Sequence, residues 1–164
     1  MTWDDLSREL DAWGEAGRAA SFWWRDDDAA AEVPALRRLL ELSDAPLTLA
    51  VIPAAAAAMT LPDHVTVVPH GYAHRNRAGA GQKKCEFPPN DDRAAMLGEL
   101  KRGVLVLKQM HTRHFRPVLV PPWNRIDHAL LPLLPRIGLQ GYGIRFFADP
   151  HEMGRDQYVD CGRQ

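Results

Sequence analysis

Short apolar runs alternate along this chain with stretches of helical period, and most of the runs are closed by proline or by a polar cluster. The runs lie at residues 21–24, 47–52, 65–68, 118–120 and 141–147. Each is the length of a strand and too short for a buried helix. Between them come segments with apolar residues at three- and four-residue steps. One spans 3–17, with Trp3, Leu6, Leu10 and Trp13 on a single stripe. A second carries Val33, Leu36, Leu39 and Leu40 behind Pro34, which suits a first helical turn. A short alanine-rich piece at 54–59, a long one at 92–111 and one at 126–137 complete the set. Pro132 and Pro135 should break or bend the last of these. Strand and helix in alternation predict an α/β fold with a parallel sheet or barrel. Residues 75–90 carry little periodicity and read as a long loop, a kind of segment that is often functional. The tail from Asp149 has no clear pattern.

Length and charge narrow the function. A chain of 164 residues fits one domain, residues 1–164, around one core. A formal net charge of -1 gives no field to draw in nucleic acid or an anionic membrane, and the arginines form no block. No apolar stretch approaches the ~20 residues of a membrane span. With Met1 as the natural start, the acidic opening lacks a signal peptide, and a soluble cytoplasmic protein is expected. Cys85 and Cys161 sit in no CxxC pair, which fits two free thiols in a reducing compartment. No glycine-rich phosphate loop follows any strand.

The polar residues gather at strand ends. The first run leads into Arg25-Asp26-Asp27-Asp28, the third into His70-Gly71-Tyr72-Ala73-His74, and the fourth into Pro121-Pro122-Trp123-Asn124-Arg125. In parallel α/β folds these ends share one rim, where sites form. Each group has a plain structural reading. The aspartates could be a solvated turn with Asp28 capping a helix, the histidines a hydrogen-bonded loop pair, and the prolines a turn. Their coincidence at three strand ends favours a site. Two neutral imidazoles with one carboxylate are a good zinc set. His64, His111, His114, His128 and His151 are read as structural, and Lys83-Lys84 as solvated charge.

In this order, Asp-Asp, His-x-x-x-His and Pro-Pro-aromatic, the chain resembles the polysaccharide deacetylase family, the NodB-like carbohydrate esterases. Trp24-Arg25-Asp26-Asp27-Asp28 is similar to the family's Thr-Phe-Asp-Asp-Gly, and His70 to His74 to its His-Ser/Thr-x-x-His. Val120 to Asn124 loosely resembles its Arg-Pro-Pro-Tyr-Gly. The similarity covers about residues 21–147. It implies a distorted (β/α) barrel and metal-assisted removal of acetyl groups from carbohydrate. It implies Asp26 as general base, Asp27, His70 and His74 as ligands of a divalent metal, zinc by preference, and a backbone N–H of Trp123 at the oxyanion. Tyr72, Asn124 and Arg125 would then face the acetylated carbohydrate. Adjacent strand residues point to opposite sides, so Asp26 and Asp27 need a bend to serve one centre, and Asp28 competes for either role.

The chain also departs from the family pattern. Asp28 stands for the family glycine, Gly71 for its Ser or Thr, and Val120 for the arginine that orients the base. Arg125 or Arg25 could substitute for that arginine. No late Leu-x-His motif supplies the general acid, which leaves His151 as a stand-in and implies a barrel short of its C-terminal strands. An open sheet edge of that kind could be covered by a partner chain, as in a homo-oligomer. The alternative reading is an inactive relative that binds metal or carbohydrate.

Overall fold

A computed structural model describes residues 2–20, 24–42, 44–143 and the strand at 158–160. Strands β1 (Trp24–Ala29), β2 (Leu47–Val51) and β3 (Val65–Pro69) form a parallel sheet in the order β1-β2-β3. Strands β4 (Val118–Leu119), β5 (Gly141–Gly143) and β6 (Tyr158–Asp160) form a second sheet, with β6 antiparallel to β5. Parallel bridges Val67↔Phe115 and His70↔Val120 join β3 to the β4 region. Among the described residues the strands therefore run in a line from β1 to β6. The α/β class and the parallel pairing agree with the sequence reading, while barrel closure is not a feature of the described strands.

The sheet has two unlike faces because strand side chains alternate. Leu47, Leu49, Val51, Val65, Val67 and Leu119 face the main core, where they meet Leu36, Met96, Leu100, Val104 and Leu107 of the covering helices. Those helices are α2 (Pro34–Leu42) and α3 (Arg93–Met110). The buried positions of α3 recur at three- and four-residue steps, and Asp92 caps it by accepting from Ala94 and Ala95 N–H. The opposite face carries Thr48, Thr66, Ala50, Val68 and Val120, with a small cluster of its own.

Several expectations change. The first strand does not stop before the aspartates but runs through them to Ala29; residues 21–23 lie outside the described set. Residues 54–59 form no helix beyond a 3-10 turn at Pro53–Ala55. The segment His128–Ile137 is 3-10 throughout, because Pro132 and Pro135 each remove a backbone donor from an α ladder. The tail contributes β6, which has no periodic signature in the sequence. The N-terminal helix α1 (Trp3–Glu15) forms behind a Thr2–Asp5 capping box, yet buries none of its residues, and Trp3 is 83% exposed. No described helix is long and apolar enough to cross a membrane. Cys85 is a buried free thiol, and Cys161 lies outside the described residues.

Candidate metal centre

The site begins with an irregularity in β1. Asp26 pairs with Leu49 and Ala29 with Val51, so β1 spends three steps where β2 spends two. The extra residue is a bulge, and Asp28 within it takes a left-handed φ of 67°. A bulge re-aims the side chains that follow it. Arg25 pairs with Thr48 and so faces away from the main core, and alternation puts Asp27 on that same side and Asp26 on the other. Without the extra residue Asp28 would share the face of Asp26. With it, Asp28 turns toward the end of β3.

His70 follows β3 directly and is held from both sides. Its N–H donates to the Val51 carbonyl at 2.7 Å, and its Nδ1 lies 2.9 Å from the Val120 carbonyl. A carbonyl can only accept, so Nδ1 carries the hydrogen and Nε2 keeps its lone pair. Burial holds the imidazole below its ordinary pKa, against the pull of Asp27, the Val120 carbonyl and Asp28. His70 is therefore neutral near pH 7. Its Nε2 nevertheless lies 3.2 Å from Asp28 Oδ1, and His74 Nε2 lies 3.0 Å from the same oxygen. An imidazole lone pair against a carboxylate oxygen is a contact between two acceptors. It is unfavourable until a proton or a cation sits between them. The ligand atoms of Asp28, His70 and His74 all lie within 4.8 Å of one another. Two imidazole nitrogens and one carboxylate oxygen at that spacing fit a divalent metal of the zinc type.

The carboxylate within reach of both histidines is thus Asp28, whereas the sequence reading assigned the ligand role to Asp27 with Asp28 as competitor. Asp27 acts on His70 through its charge but contributes none of the three grouped ligand atoms. Arg25 Nη2 donates to its Oδ2 at 3.0 Å, and Arg25 Nε lies 2.7 Å from its Oδ1. That second approach is a charge contact, and among the described residues Oδ1 is buried without a hydrogen-bond donor. Among the described residues Asp26 makes no such ion pair. Its carboxyl is pushed up by burial first and then by the charges of Asp27 and Asp28. Of the two arginines that could replace the family's, Arg25 reaches an aspartate, whereas Arg125 Nη1 donates to the Lys84 carbonyl at 3.2 Å.

The wall beside the histidines comes from the fourth strand end. Trp123 and Asn124 both take left-handed φ values, 54° and 55°. The Trp123 ring lies 4.4 Å from the His74 ring, and the Lys84 ammonium sits 6.0 Å above the indole. Tyr72 points elsewhere. Its ring packs by Gly103 of α3, with the Arg102 guanidinium 5.3 Å over it. The general-acid stand-in His151 lies outside the described residues.

One residue of the site escaped the sequence reading. Glu86, fully buried, accepts from Tyr72 N–H at 3.2 Å and from Ala73 N–H at 2.7 Å. It lies in the loop without periodicity, so only its place between apolar Cys85 and Phe87 hinted at burial.

No known protein-family model matches the chain, and no curated protein does. Among solved structures, the deacetylase domain of BpsB from Bordetella bronchiseptica is similar, with a TM-score of 0.53 and 16% identity. The match covers 86% of this chain and 76% of that one. At that identity the likeness concerns the fold: this chain has a deacetylase-like α/β fold with a potential metal triad at the ends of its strands.

Proposed function

We propose that this protein is a metal-dependent hydrolase that removes acetyl groups from a carbohydrate. The observation that carries the reading is the meeting of Asp28, His70 and His74, whose ligand atoms lie within 4.8 Å of one another, with the His70 Nε2 lone pair aimed at the Asp28 carboxylate. The deacetylase-like fold and the motif order support the substrate class. Asp28, His70 and His74 hold the metal, and zinc suits the donor set best. When bound, the metal acidifies water and polarises the acyl oxygen.

The rest of the chemistry falls to the chain's own groups. Asp27 acts as the general base, one residue later than the family alignment puts it. Arg25 fixes the orientation of Asp27, replacing the arginine lost at Val120. Asp27 takes the proton of the attacking water as the water oxygen bonds to the acyl carbon. The backbone N–H of Trp123 donates to the oxygen on which charge develops. The carbon–nitrogen or carbon–oxygen bond then breaks, the proton passes to the departing group, and acetate leaves. The Trp123 indole and Asn124 flank the sugar, with Arg125 further along the same wall.

The test is acetate release from acetylated oligosaccharides by zinc-loaded protein. Asp27→Asn should retain metal and lose about 10²–10⁴ in rate, the usual contribution of a general base. Undiminished turnover after removal of the metal would end the hydrolase reading. Bound metal and saturable sugar binding without acetate release would favour the alternative, an inactive binding relative.

A further inference from the structure

We infer that Glu86 is a positioning residue that shapes the His70–His74 loop into a metal-ready form before any metal arrives. The inference rests on the metal reading of Asp28, His70 and His74. A carboxylate with no solvent exposure is unfavourable unless strong donors surround it. Glu86 finds two in consecutive residues, with Tyr72 N–H on Oε2 and Ala73 N–H on Oε1. Both lie between the two histidines, so the carboxylate bridges the middle of the loop whose ends carry the ligands.

The backbone around Glu86 makes it a fixed post. Its neighbours Cys85 and Phe87 are buried. Cys85 N–H donates to Asn76 Oδ1 at 3.0 Å, and Phe87 O accepts from Asp127 N–H at 2.8 Å. The loop in turn has a shape that depends on this post. Gly71 has a φ of 63° and His74 a φ of 53°, so the chain doubles back on itself. A Cβ at Gly71 would collide with Glu86 Oε2 and come within 2.7 Å of Pro122 Cδ. The volume of a Ser or Thr side chain at position 71 is thus occupied by the Glu86 carboxylate. The missing hydroxyl and the buried acid are two halves of one arrangement. The Glu86 carboxylate thus holds the stretch between two ligand nitrogens that lie 3.2 and 3.0 Å from one oxygen.

Zinc affinity of the whole protein, by competition with a chromogenic chelator, is compared between wild type and Glu86→Gln. Glutamine has the same shape but turns one acceptor into an NH₂ that must face an N–H. Affinity should fall about 10- to 100-fold, the usual effect of losing an outer-sphere partner. Unchanged affinity in a folded variant would overturn the inference. A second measurement needs no variant. In metal-free wild type, the Tyr72 and Ala73 amides should exchange with solvent as slowly as the β2 and β3 amides. Exchange at the rate of an open loop would overturn the inference even if Glu86→Gln does not fold. Failure of the wild type to bind zinc would instead sink the metal reading, whatever the amides do.

Discussion

Nε2 of His70 faces Oδ1 of Asp28 across 3.2 Å, while the other ring nitrogen is committed to the Val120 carbonyl. This pairing is unfavourable unless a proton or a metal cation sits between the two atoms. It ties the candidate metal triad to the bulge in β1, where Asp28 sits.

Asp28 occupies a left-handed backbone position in that bulge. Ala there is strained by roughly 1–2 kcal/mol, and Gly is not. Asp28→Ala and Asp28→Gly should therefore lose metal equally. In chemical denaturation of metal-free protein, Asp28→Gly should be the more stable by about 1 kcal/mol. Equal stability would mean that residue 28 does not hold a left-handed conformation.

Arg25 should matter to rate more than to metal. Its Nη2 hydrogen bond to Oδ2 and its charge against Oδ1 orient the base, and Lys cannot reproduce that planar arrangement. Arg25→Lys is expected to lower kcat by about 10-fold or more with KM little changed, the mark of an interaction that counts in the transition state. Zinc content should be unaffected. A variant that loses zinc but keeps its rate per bound metal would place Arg25 in the metal scaffold instead.

Gly71→Ala should be among the most damaging single-methyl changes in the chain. It strains φ and drives a Cβ into Glu86 and Pro122. Strain and overpacking each cost about 1–3 kcal/mol. A shift of less than about 0.5 kcal/mol in the unfolding free energy would contradict this close packing.

His111 predicts a pH dependence of stability away from the site. It is buried, its Nε2 has no hydrogen-bond partner among the described residues, and burial, then His114, lowers its pKa below the ordinary 6.5. Folding therefore favours the neutral ring. Its contribution is fully present above pH 6.5 and is lost as pH falls below that value, through the lower folded-state pKa. Unfolding midpoints of metal-free protein between pH 7 and pH 5 should fall, and His111→Leu should flatten the slope. An unchanged slope would assign the acid sensitivity to other groups.

Much of the site was legible in the sequence because strand ends announce themselves. Pro53 and Pro69 mark where β2 and β3 stop, and His70 and His74 stand just past the second of these. The choice among Asp26, Asp27 and Asp28 was not legible. Side-chain direction flips with every strand residue, so a single bulge changes which aspartate meets the histidines, and nothing local in a run of aspartates encodes the bulge. Glu86 was hidden for a different reason. Its role depends on a contact 13 and 14 residues back in the chain, inside a loop with no period to read. The stripe on α1 forecast the helix, but a helical pattern does not say what covers its apolar face.

The most direct test of the metal triad is elemental analysis of untagged protein after zinc loading, beside single Ala variants of Asp26, Asp27, Asp28 and His74. About one metal ion per chain is expected in wild type, Asp26→Ala and Asp27→Ala, with loss in Asp28→Ala and His74→Ala. Retention in Asp28→Ala with loss in Asp27→Ala, or no metal in any form, would contradict the triad.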